Sequence, residues 1–347
     1  MAERAVDIIR GTMVESGAFA DIAVVDSLGH IRYWLGDPER STFWRSSAKP
    51  FQALPVILSG AMDRYQFSGE DVAIICASHG GEPRHVRQVV SLLERIGATP
   101  EDLACGVHLP SHQPSARLLQ ESEESPTALH NNCSGKHTGM LTMARMLKAP
   151  LAGYEKPNHP VQQRIRRMIA LMTDVNESDL LTATDGCSVP TFYLPLARMA
   201  LAYARLVDPR GLPEEIQAGA AVIAEAMRIH PYLVSGEGRL EVTLAEATQN
   251  RFIAKGGAEA VFCVGIPEKG LGIAIKMDDG SARTIAPTLG RVLEEMGILS
   301  SGERMALEPL ISPVILNHRR LEVGRLKAIF HLHKGRLEGG VQPSSVS

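Results

Sequence analysis

The chain has 347 residues, of which 44% are hydrophobic, and a formal net charge of −3. That length buries a large core, as one big domain or two closely joined ones, and the near-balanced charge argues against nucleic acid as a partner and against an acidic disordered tail. With neither a charged-then-apolar leader nor ~18 uninterrupted apolar residues, a cytoplasmic protein that does not engage a membrane is expected.

The five cysteines (Cys76, Cys105, Cys133, Cys187, Cys263) are odd in number, widely spaced and form no C-x-x-C pair, which argues against a disulfide framework. In chain order, residues 20–26 and 30–35 read as two strands around Ser27-Leu28-Gly29. A loop with Pro38 then leads into Arg45-Ser46-Ser47-Ala48-Lys49-Pro50. Pro50 is tolerated only in a first turn, so a helix is expected to start at Ser46 or Ser47, with backbone N–H groups near the serine free to hold an oxyanion. Ser46 and Lys49 stand at i and i+3, neighbours on one helical face. A neutral lysine there takes the proton of a serine that is otherwise a poor nucleophile. Lowering a lysine pKa by ~3 units takes roughly 4 kcal/mol of differential environment, and the apolar run Phe51–Leu58 supplies burial. The competing reading is a Ser/Ser helix cap beside an exposed lysine.

The apolar run Val72–Ala77 reads as a strand ending at Ser78-His79-Gly80-Gly81. Helical spacing follows from His85 to Ile96, stopping at Gly97. The segment 105–131 reads as irregular, and Pro110 between His108 and His112 spoils a helical metal pair. Asn132-Cys133-Ser134-Gly135-Lys136-His137 opens an apolar helix to Leu147. Further helices are expected at 159–172, 190–206 and 213–229, with Thr184-Asp185-Gly186-Cys187 between the first two. Gly236-Glu237-Gly238-Arg239 precedes a short helix; it is either a site or a turn. Residues 252–266 and 271–277 read as a second antiparallel pair, with Lys255-Gly256-Gly257 near its start. A helix follows at 286–297, a strand lies within 320–333, and 342–347 fray.

Strands at both ends with helices between them predict an α+β fold. Its antiparallel sheet is assembled from residues of about 10–40 and 250–335, with a mostly helical insert over about 41–249, in a single domain spanning 1–347. The motifs G-x-G-x-x-G and the Walker loop are absent, which disfavours a nucleotide-binding parallel sheet. Ser78 beside its glycines suits a cleft or a plain turn, and Lys255 facing Lys49 would depress that residue's pKa, or is merely solvated. Arg45 could clamp a carboxylate or be a surface charge. Cys133, Lys136 and Cys187 could hold a borderline ion such as zinc, or be buried and unrelated.

Together, Arg45-Ser46-Ser47-Ala48-Lys49-Pro50, Cys76-Ala77-Ser78-His79, Asn132-Cys133-Ser134-Gly135-Lys136-His137, Thr184-Asp185-Gly186-Cys187, Gly236-Glu237-Gly238-Arg239 and Lys255 resemble the L-asparaginase II (rhizobial-type, class 3) family, over about residues 10–298. The resemblance implies a serine β-lactamase/glutaminase-like fold and hydrolysis of L-asparagine by water to L-aspartate and ammonia. It implies Ser46 as nucleophile with Lys49 as its base, and Ser78 with Lys255 as a second Ser–Lys pair. It also implies substrate binding by Arg45, Asp185, His137 and Glu237, a zinc ion on Cys133, Lys136 and Cys187 that assists binding rather than chemistry, and a homodimer. A penicillin-recognising serine hydrolase is a rival, opposed by the lack of a Ser-Asp-Asn tripeptide and by Gly256; a zinc-dependent amidohydrolase is another.

Overall fold

The computed structural model describes residues 1–335, so the expected fraying at 342–347 lies outside the described residues. The N-terminal strands β1 (Glu3–Arg10), β2 (Met13–Asp26) and β3 (Ile31–Leu35) come first. A small separate sheet follows from β4 (Ser41–Phe43), β5 (Leu181–Thr184) and β6 (Pro190–Pro195), in the order β4-β6-β5. The C-terminal strands are β7 (Ile253–Gly257), β8 (Val261–Ile266), β9 (Leu271–Met277), β10 (Val314–Leu316), β11 (Glu322–Ala328) and β12 (His333–Lys334). They join the first three in one nine-stranded antiparallel sheet along the path β10-β11-β1-β2-β9-β8-β7, with β3 pairing β2 and β12. The two chain ends therefore interleave, as expected from the sequence.

Between the two sets of strands run α1 (Lys49–Leu58), α2 (Ala61–Tyr65), α3 (Gly69–Ile75), α4 (Pro83–Ile96), α5 (Gln113–Glu121), α6 (Ser134–Met146), α7 (Pro160–Thr173), α8 (Leu196–Val207), α9 (Glu214–Ile229), α10 (Pro231–Val234) and α11 (Leu240–Ala247). After β9 come α12 (Ile285–Glu295) and α13 (Ser301–Ile311). The period-2 alternation of the strands sorts them into two cores. Ala23, Val25, Cys263 and Ala274 face the helical insert, whereas Ile22, Val24, Ile273 and Ile275 face α12 and α13. Small residues on the first face let α8 lie against the sheet. At Gly272 an added Cβ would stand 1.9 Å from the Ala200 carbonyl oxygen, so only glycine fits there. No helix among the described residues is long and apolar enough to cross a membrane.

Four local readings are corrected. The run Val72–Ala77 is helical as far as Ile75, because Ser68 and Asp71 form a reciprocal capping box that starts α3; a short apolar run alone does not separate a buried strand from a buried helix. Residues 190–195 form a strand before α8, since Thr191, Phe192 and Tyr193 pair with β5. The segment 105–131 contains α5. Residues 252–266 are two strands, which makes the C-terminal pair a triplet.

Candidate active site

The expected helix start at Ser46 or Ser47 is instead a tight 3-10 turn, Arg45–Ala48, and α1 begins at Lys49 with Pro50 in its first turn. The turn is anchored on both sides. Trp44 stacks on Phe51 at 4.9 Å, and Phe51 meets Tyr203 edge-on at 5.3 Å. Tyr203 donates its hydroxyl proton to the Ser47 carbonyl at 2.8 Å, and Ser47 donates to the Lys255 carbonyl at 2.9 Å. Arg45 has φ 53°, a left-handed conformation costly for a side chain of its size. Its N–H donates to Thr191 Oγ1 (3.2 Å) and its Nε to Asp185 Oδ1 (2.9 Å), which hold it there. The next residue, Ser46, is left partly exposed in a cleft of about 570 Å3.

Lys49 is 1% exposed. Its Nζ donates to the Ala77 carbonyl (2.5 Å), to Ser78 Oγ (2.8 Å) and to the Asn132 carbonyl (3.4 Å). Burial lowers its pKa; the neighbouring Cys133 opposes that shift and Lys136 reinforces it. Ser78 arrives just after α3, its N–H donating to the Val234 carbonyl at 2.9 Å. The family resemblance pairs Ser78 with Lys255, whereas the Ser78 hydroxyl here accepts from Lys49. Lys255 instead donates to the Gly256 carbonyl (2.8 Å) and lies 4.0 Å from Glu241 Oε1. Burial pushes the Lys255 pKa down to about 7; Glu241 opposes this and Lys49 adds to it. Two buried amines with depressed pKa values thus flank a cleft lined by Ser46, Ser78, Asn132, Arg239 and Glu241.

Cys133, Lys136 and Cys187 do come together. All three are buried, and Lys136 Nζ donates to Cys187 Sγ at 2.9 Å. The hydrogen bond between the two sulfurs holds the Cys133 thiol well below its usual pKa and pushes Cys187 up, a division in which burial also disfavours a second thiolate. Asp185 lies in the adjoining turn, where it accepts from Arg45 and from the Gly186 N–H (2.8 Å).

None of the four expected substrate contacts is among the residues that line the cleft; Arg45 and Asp185 pair with each other next to Ser46. His137 is fully buried in α6, its Nδ1 hydrogen-bonded to the Tyr154 hydroxyl at 2.5 Å. The Glu237 side chain is 77% exposed and stands 3.6 Å from His112 Nε2; its neighbours Gly238 and Arg239 line the cleft instead. Glu241 and the Asn132 carbonyl were missed. An acidic residue in a helix's first turn reads as a partner for the helix dipole, and a carbonyl has no sequence signature at all.

A family model described as L-asparaginase II matches residues 6–328, which extends the similarity past residue 298 to the C-terminal strands. No curated protein matches the chain. Among solved structures, the chain is similar to the protein Mglu at 15% identity, with 80% of this chain and 67% of that chain covered and a TM-score of 0.36. It is also similar to a β-lactamase from Mycobacterium bovis (13% identity, 76% and 88% covered, TM-score 0.38). A third is the D-alanine carboxypeptidase AmpC from Burkholderia cenocepacia (11% identity, 84% and 92% covered, TM-score 0.37). With the family model running from the first strand to β11, the chain belongs to the L-asparaginase II family of amidohydrolases.

Proposed function

We propose that this protein hydrolyses the side-chain amide of L-asparagine through an acyl-enzyme on Ser46. The observation that carries the reading is the buried Lys49 amine hydrogen-bonded to Ser78, with Ser46 and Ser78 lining one cleft. Neutral Lys49 takes the Ser46 proton as Oγ attacks the amide carbon. Ser78, in contact with Lys49, relays a proton to the leaving nitrogen, so ammonia departs and an ester remains on Ser46. Water then adds to the ester with the same groups acting in reverse, releasing aspartate and restoring the Ser46 hydroxyl. Lys255, whose pKa burial brings down to about 7, adds a second base near the cleft, while burial and the Lys136 charge disfavour the charged form of Lys49. Arg45, paired with Asp185 next to Ser46, would orient a substrate carboxylate.

The donor set of Cys133, Cys187 and Lys136 fits a borderline cation such as zinc, because two buried sulfurs and an amine nitrogen meet in one place. Both cysteines would hold it as thiolates and Lys136 as a free amine; when bound, the ion would help position the substrate. Lys136 is held protonated by Cys187 and Cys133, which outweigh its burial, so loading the site releases protons. The reading includes a cytoplasmic homodimer, which sedimentation of the purified chain tests.

Ser46→Ala abolishes ammonia release from asparagine while the circular-dichroism spectrum is retained; substantial residual turnover overturns the assignment. The Lys49–Ser78 contact also favours a second reading in which Ser78 is the nucleophile. Acid quenching during turnover followed by peptide mapping separates them, since the aspartyl adduct then sits on Ser78 rather than Ser46.

A further inference from the structure

Beside the cleft, three segments distant in sequence bring together Glu82 at the start of α4, His112 at the start of α5 and Glu237 in the loop before α11. One ligand atom from each lies within 4.8 Å of the others. The 3.6 Å between His112 Nε2 and Glu237 Oε2 is too long for a hydrogen bond. His112 Nδ1 is meanwhile engaged by Ser115 Oγ at 2.8 Å, which leaves Nε2 free and its ring orientation set, as a metal-binding imidazole requires. Glu82 is held in the same way: Oε1 accepts the Glu237 N–H at 3.1 Å and Oε2 accepts the Tyr232 hydroxyl.

A second observation is independent of that cluster. The His85 ring is fully buried between His79 and Tyr232, stacked at 5.0 and 4.9 Å. Its Nε2 bonds the Tyr232 carbonyl at 2.9 Å, and a carbonyl only accepts, so Nε2 carries the proton. In the neutral ring Nδ1 is then a bare lone pair. It has no hydrogen-bond partner and lies 3.8 Å from Glu82 Oε1. Two lone-pair donors facing each other in a buried space are unfavourable without a positive charge between or beside them.

We propose that Glu82, His112 and Glu237, backed by His85, form a divalent-cation site that fastens the Gly236–Arg239 loop to the start of α4. Carboxylates with imidazole suit zinc, cobalt or manganese, and the set is chemically distinct from the thiol cluster around Cys133. Because Gly238 and Arg239 line the cleft, a loaded site holds one wall of it in place. The inference stands on these contacts and does not depend on asparagine being the substrate.

The test is Co2+ titration of the full-length protein, with bound metal measured by equilibrium dialysis and by optical absorption. Thiolate-bound Co2+ shows intense sulfur-to-metal charge transfer, whereas carboxylate- and imidazole-bound Co2+ shows only weak d–d bands. In the Cys133→Ala, Cys187→Ala background, which removes the thiol donors, the expected result is one Co2+ per chain without the sulfur bands, weakened about tenfold or more by adding either Glu237→Gln or His112→Ala. The Glu237 side chain is 77% exposed, so its replacement leaves the fold intact even if His112→Ala does not. A double-alanine background that takes up no Co2+ overturns the proposal, as does Glu237→Gln in that background binding Co2+ no more weakly.

Discussion

Replacing Glu241 by glutamine isolates the charge that keeps Lys255 from deprotonating further. Glu241 Oε1 accepts the Gly256 N–H at 2.9 Å and lies 4.0 Å from Lys255 Nζ, and glutamine retains the acceptor while removing the charge. Two unit charges at that distance interact by about 4 kcal/mol at an effective dielectric near 20, an upper limit of about 3 pKa units. Water in the open cleft screens part of this, leaving a shift of about 1–2 units. Lys255 starts at about 7 and moves down in the variant. If turnover needs Lys255 neutral, the acid limb of kcat/KM, which reports the free enzyme, moves to lower pH by that amount. A coupled ammonia assay across pH on wild type and Glu241→Gln measures it. An acid limb that stays in place, or moves up, refutes a role for neutral Lys255.

Lys255 also sets the sign of a stability slope. The unfolded chain keeps this proton up to about 10.5 and the folded chain only to about 7, so the penalty of burying it is full below the lower value and fades as pH rises between the two. Lys255→Met should flatten that rise in denaturant midpoint. Gly272→Ala forces a methyl to 1.9 Å from the Ala200 carbonyl oxygen and 2.5 Å from the Ala204 nitrogen, and should cost about 1–3 kcal/mol or more by urea unfolding; an unchanged midpoint would show that α8 moves freely off the sheet. Replacing Cys133 or Cys187 by alanine should raise KM for asparagine and empty a zinc site. Full zinc occupancy in the double alanine variant, read by metal analysis, ends that claim.

Much of this protein was legible in its one-dimensional pattern. The hairpin of β2 and β3, the helix from His85 to Ile96 that stops at the left-handed Gly97, and the closing of one sheet by both ends follow from local periodicity and turn chemistry. The candidate site residues Ser46, Lys49, Ser78, Lys255 and the Cys133–Lys136–Cys187 set came instead from the family resemblance, because each short stretch read alone suits equally a helix cap, a turn or unrelated buried cysteines. Hydrophobic runs such as Val72–Ala77 and 190–206 went astray because a buried helix and a buried strand look alike when only apolarity is read; a cap or a neighbouring strand decides between them.

What tertiary structure alone decided is partnership. Lys49 is three residues from Ser46 yet gives its hydrogen bonds to Ala77, Ser78 and Asn132, because the tight turn before α1 and the loop after α3 set where its flexible stem ends. Glu241 reaches Lys255, and Glu237 reaches His112 instead of the cleft. Spacing along a chain constrains only neighbours on one element, whereas charge pairing and desolvation depend on distances between elements that the whole core sets.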